Sequence, residues 1–173
     1  MKIKTALTLT ALSLVGAGGA FAATDGAFDT NSTGTTDVTL TVVDATRITG
    51  LTDIPLGTYA ANDTDGVDAS DTFCVHVNGG DTYNITATYL PLTSATTSDT
   101  IALQVSLDDD ASGAGAEDVN TGGITSEFTG SALIDCGSND NAYINVEVED
   151  ADIRAATTAS DYETTVSLLV QPQ

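Results

Sequence analysis

The chain has no tryptophan, one histidine, one methionine, two cysteines and three prolines among its 173 residues. Each scarcity closes off a class of function. Without tryptophan, and with five tyrosines, there is no strong aromatic platform on which sugars could stack. A Ser-His-Asp arrangement would have to use His76, yet no Gly-x-Ser-x-Gly turn or comparable nucleophile setting accompanies it. His76 alternates with Val75 and Val77, which reads as a solvent-facing structural histidine on a strand. Carboxylates are so plentiful that no two of them stand out as an acid and nucleophile pair. The sequence indicates neither an enzyme nor a cofactor.

Cations are the next shortage: four Lys and Arg stand against 25 Asp and Glu. Both lysines, Lys2 and Lys4, lie in the opening "MKIKTALTLTALSLVGAGGAFAATDG". There they form the basic start of a secretory signal peptide, followed by a short apolar stretch and a small-residue cleavage signal at Ala20-Phe21-Ala22. Residues 1–22 are therefore expected to be removed. The remaining 151 of 173 residues suit one domain, and their two arginines against 25 carboxylates give a formal charge of −23. Such a field excludes nucleic acid and anionic membrane as partners. No segment is apolar for long enough to span a bilayer.

Carboxylates crowd "ANDTDGVDASD", residues 61–71, which raises the possibility of calcium. An EF-hand loop turns on one glycine and needs oxygen ligands from its first to its twelfth position. With Gly66 as the turn glycine, Asp63 and Asp65 fall at ligand positions, but Ala61 and Thr72 occupy the first and twelfth. Acids also recur in almost every loop, including "LDDDASGAGAED". The density around Asp63 is then part of a general acidic, hydrated surface, as a protein bathed in high salt would use.

Cys74 and Cys136 are expected to form a disulfide, the default for one pair of cysteines in an exported protein. The alternative is a metal or redox site using Cys74, His76 and Cys136. Cys-x-His is too short to be specific, and no fourth ligand follows from spacing.

Residues 23–37 are rich in Gly, Thr and Asp and read as a flexible tail. Residues 38–44, "VTLTVVD", alternate Val38, Leu40 and Val42 with threonine, the period of a strand. "FCVHV", "NGGD" and "TYNITATYL" predict a hairpin. "IALQVSL" directs Ile101, Leu103, Val105 and Leu107 inward, "SALIDC" predicts a short strand, and "AYINVEVE" directs Ile144, Val146 and Val148 inward. "YETTVSLLV" aligns Tyr162, Thr164, Val166, Leu168 and Val170. Only "EDADIRAATTA" suits a helical turn. About seven strands between Gly, Asp, Asn and Thr loops predict an all-β fold: an antiparallel, immunoglobulin-like β-sandwich over residues 38–173.

The order of these segments resembles the spore coat protein U family, which includes subunits of archaic chaperone-usher pili. "TTDVTLTVVDATRITG", "LTDIPLGTY", "VDASDTFCVHVNGGDTYNITAT", "ALQVSLDDD" and the ending "ASDYETTVSLLVQPQ" carry the resemblance, which covers most of residues 23–173. This chain has Thr46-Arg47-Ile48 where the family often has a cysteine. The resemblance implies a sandwich lacking one strand, whose groove is filled first by a periplasmic chaperone and then by the N-terminal strand of the next subunit. Residues 38–44 would then be the donor, with Val38, Leu40 and Val42 entering a neighbour's groove; alternatively they form the domain's own first strand. The implied role is a subunit of a secreted fimbria, supporting adhesion or biofilm. Its implied partners are identical or related subunits, a periplasmic chaperone and an outer-membrane usher, and its route is the periplasm and then the cell surface. The competing reading is a monomeric secreted binding domain, in one form calcium-dependent.

Thermal stability is expected to rise with molar concentrations of any salt and to respond little to micromolar calcium. A saturable calcium-dependent rise in Tm that Asp65→Ala abolishes would overturn this expectation.

Overall fold

The computed structural model describes residues 25–173, so the expected signal peptide, residues 1–22, lies outside them. The chain divides after Val42. Residues 25–44 carry no helix or strand, and the first strand of the chain is β1, Thr46–Thr49. The expectation that residues 38–44 form the domain's own first strand is thereby corrected. That role belongs to residues further on.

From Val43 onward the protein is nearly all β with antiparallel sheets, a sandwich-like fold. A five-stranded sheet runs β1, β2 (Val67–Val77), β9 (Ala142–Val148), β6 (Gln104–Asp108) and β7 (Glu117–Asp118) in spatial order. A three-stranded sheet runs β11 (Ser167–Pro172), β3 (Thr82–Thr88) and β8 (Phe128–Thr129). A second small sheet runs β10 (Tyr162–Glu163), β4 (Leu92–Ser94) and β5 (Thr100–Ile101). The single helix among the described residues, α1 (Asp150–Ala155), follows β9 where a helical turn is predicted.

Alternation explains which side chains meet. Val75 and Val77 on β2, Ile85 and Ala87 on β3, Val105 and Leu107 on β6, and Ile144, Val146 and Val148 on β9 are all buried in one core. Tyr83 and Phe128 join it edge to face, with ring centroids 5.8 Å apart. Ile101 and Leu103 are buried as predicted. Each such Val, Leu or Ile side chain contributes on the order of 1.5–3 kcal/mol on burial, which makes this shared interior the main source of stability.

Pairing partners differ from the predicted ones in two places. "FCVHV" and "TYNITAT" do not form a hairpin: β2 pairs with β1 and β9, while β3 pairs with β11 and β8. The 3-10 turn Asn78–Gly80 instead carries the chain from one sheet to the other. "SALIDC" is a turn rather than a strand, with a lone bridge at Ser131. The upper part of β2 is completed on that side by Ser131, whose N–H donates to the Val75 carbonyl at 2.9 Å, and by the Asn141 side chain, whose Oδ1 accepts from the Val75 N–H at 2.8 Å.

Gly66 is not the turn glycine of a metal loop. Its backbone is outside the left-handed region, and a Cβ there would collide with the Val148 carbonyl where β9 ends. The glycine lets β2 start close against β9.

Cys74 and Cys136 are bridged, with Cα atoms 5.8 Å apart, so the turn at Cys136–Ser138 is tied to β2. The bridge closes a separation of 62 residues. Thiol titration of the unfolded, unreduced protein is expected to find no free thiol. The double variant Cys74→Ala, Cys136→Ala should lose about 4 kcal/mol of unfolding free energy by denaturant titration, from unfolded-chain entropy. An unchanged midpoint would show that the turn holds without it.

Candidate functional site

One side of the sandwich is open. β11 has β3 on one side and no strand on the other, and β1 has β2 on one side only. These two edges approach one another. After β1, residues 51–59 make no main-chain to main-chain hydrogen bond among the described residues, although Ile54 and Leu56 are packed against the core. Val166, just before β11, and Leu168 and Val170 within it are half-buried and packed against the same core. The open side thus combines apolar side chains with unpaired backbone, which is the composition of a sheet edge that accepts a strand.

Residues 56–59 also line a separate groove of about 670 Å³, to which neither β1 nor β11 contributes. Val67, Leu92, Ile101 and Val148 contribute apolar surface to it, residues 56–59 form one wall, and Ile153, Ala156 and Tyr162 another. Two polar clasps hold these walls. In the first, the Tyr59 hydroxyl donates to Asp150 and, at 2.9 Å, to the Asp63 carbonyl. Arg154 donates from Nε to both Asp150 oxygens at 2.8 and 2.9 Å, reaches the Asp63 carbonyl, and lies 5.6 Å from the Tyr59 ring centre. This is the only ion pair among the described residues. Hydrogen bonds from Tyr59 and Arg154 hold the Asp150 carboxyl below its ordinary value, while desolvation and the bond to Asp150 raise the Tyr59 hydroxyl.

In the second clasp, Asp161 accepts from Ser94 Oγ at 2.6 Å and from the N–H and hydroxyl of Thr96 at 2.8 and 2.7 Å. Asp99 accepts from the Thr157 N–H at 2.6 Å. Together they staple residues 157–161 to the β4–β5 hairpin. The Ser94 and Thr96 donors hold Asp161 below the usual carboxylate range, and the Thr157 and Thr100 donors do the same for Asp99.

The predicted site residues separate into three groups. Val38, Leu40 and Val42 are 90, 86 and 73% exposed. Asp63 and Asp65 are not brought together with further acids: Asp63 Oδ2 accepts from the Ala60 N–H at 2.6 Å, and no three His, Cys, Asp or Glu side chains converge as metal ligands among the described residues. His76 is half-buried, with Nδ1 2.9 Å from the Ser131 carbonyl. Sequence reasoning did not single out Tyr59, Asp99 or Asp161, whose partners lie between 58 and 91 residues away in the chain. Spacing carries no signal over such distances.

The second clasp makes stability depend on acid. Both carboxyls have folded values depressed below their unfolded ones, so their contribution is fully present above the ordinary carboxylate range and is lost as pH falls through the depressed values. Thermal unfolding followed by circular dichroism is expected to show a Tm that drops on acidification, and Asp161→Asn should flatten that limb while lowering Tm at neutral pH. An unchanged acid limb in Asp161→Asn would remove the clasp from the explanation. Comparison with known proteins returns no matching family model, no curated relative and no similar solved structure.

Proposed function

We propose that the protein is a structural subunit of a secreted surface fibre, an archaic chaperone-usher type of pilin whose incomplete immunoglobulin-like sandwich is completed by the N-terminal strand of the next subunit. The observation that carries the reading is a match between two unsatisfied parts. Residues 38–44 have the alternation of a strand but no sheet partner, with Val38, Leu40 and Val42 exposed. The open side has an apolar face, a β11 with no strand on its outer side, and residues 51–59 with no main-chain to main-chain hydrogen bond, the Thr52 N–H being held by Asp71. Seven extended residues span about 23 Å, enough to run the length of β11.

In this reading a periplasmic chaperone covers the open side during export. An usher then exchanges that cover for residues 38–44 of an identical or related subunit, and the fibre at the cell surface supports adhesion or biofilm. Main-chain hydrogen bonds to β11 supply affinity, and Val38, Leu40 and Val42 supply fit.

Leu40→Asp tests it. A carboxylate without a partner costs several kcal/mol to bury, enough to abolish docking of one strand. The variant is expected to lose assembly by size-exclusion chromatography and electron microscopy while its circular dichroism and Tm as a monomer stay unchanged. Wild-type protein that remains a stable monomer under every condition, with no fibres on the native cell surface, would favour the monomeric binding domain instead.

A further inference from the structure

We infer that docking between copies is gated by ionic strength: the apolar strand of one copy can occupy the open side of the next only when salt screens the acids that flank both. This inference rests on the fibre reading above. Residues 25–44 contain Asp25, Asp29, Asp37 and Asp44 and no cation. Asp37 and Asp44 bracket the apolar alternation, so both ends of the docking strand are anionic.

The receiving side has the same sign. The stretches of chain that contain β1 and lead into β11, residues 46–61 and 150–172, carry Asp53, Asp150, Asp152, Asp161 and Glu163 against two arginines. Arg154 is already committed to Asp150 and the Asp63 carbonyl. Arg47 is exposed and has no ion pair among the described residues, but one cation does not balance four incoming carboxylates. Apolar burial and strand pairing act over contact distances, whereas the repulsion acts over the Debye length. That length shrinks from about 10 Å at 0.1 M salt to about 3 Å at 1 M. Docking therefore switches on as the screening length falls below the separation of the flanking charges.

The test measures assembly of the full chain by light scattering across NaCl concentrations, beside a variant carrying Asp25→Ser, Asp29→Ser, Asp37→Ser and Asp44→Ser. Circular dichroism confirms that both are folded. The wild-type threshold concentration for assembly should fall at least about tenfold between 0.1 and 2 M NaCl, and that of the variant less than about threefold. The comparison separates screening from general salting-out, which strengthens apolar burial in both proteins alike. Parallel salt curves for the two would overturn the gate and leave the fibre reading standing. Folded protein that assembles at no salt concentration would overturn both. Assembly driven at low ionic strength by millimolar CaCl2, saturable and lost in Asp63→Ala, would replace screening by a bound cation and overturn the gate.

Discussion

The constraint on which the rest of this structure depends is that its carboxylates have almost no cations to pair with. Arg154 and Asp150 form the one ion pair among the described residues. Most of the other acids that are held take hydrogen bonds from backbone N–H groups and hydroxyls instead, and Glu149 takes one from the Gln104 side-chain amide. Asp71 accepts from Thr52, Asp108 from Gly115, Asp109 from Thr129 and Glu117 from Ser126, all between 2.6 and 2.8 Å. Bonds to an ionised acceptor are stronger than neutral ones, so each such acid orders a loop that its composition alone would leave loose. The Thr, Ser and Gly content of those loops is the matching half of the arrangement, since it supplies small residues with accessible donors. A surface that looks built only for hydration is also a set of staples.

Not every acid is stapled, and the remainder concentrates cost where strands align. Asp68 on β2 stands directly opposite Glu147 on β9, a like-charge cross-strand pair, while Gln104 faces Glu147 from β6. Nothing in the register relieves that pair, which leaves it to be eased by salt screening. Screening of that pair and of the acids in the proposed docking would come from the same ions, so folding and the proposed assembly are expected to respond to one variable in the same direction.

Which side chains face the core was legible from alternation, because a period of two assigns each residue to a face without reference to its neighbours. Ile101, Leu103, Val105 and Leu107 are buried for that reason, and the pairing of Cys74 with Cys136 followed from there being no other cysteine. Alternation says nothing about which strand lies alongside. "FCVHV" and "TYNITAT" therefore read as a hairpin when the turn between them in fact crosses from sheet to sheet. Gly66 could be tested from sequence only as the turn glycine of a metal loop, whereas its role is set by the Val148 carbonyl, 82 positions on. The clasps at Tyr59 and Asp161 were illegible for the same reason: their geometry belongs to the closed fold.

The boundary between the candidate donor and the sandwich is decided by one residue. Val38, Leu40, Val42, Thr46 and Ile48 all occupy even positions, so a single straight strand from 38 to 48 would keep them on one face. Position 44 of that strand is Asp44. A continuous inward-facing strand would have to bury this carboxylate without a partner, at a cost of several kcal/mol. Ending the strand before it removes the cost. The structure begins β1 at Thr46, with Ile48 packed against the core, and leaves Val38, Leu40, Val42 and Val43 before Asp44 exposed. The acid therefore separates β1, which is built into the sandwich, from a segment of the same phase that forms no strand of its own and that the proposed assembly would pair with a neighbour.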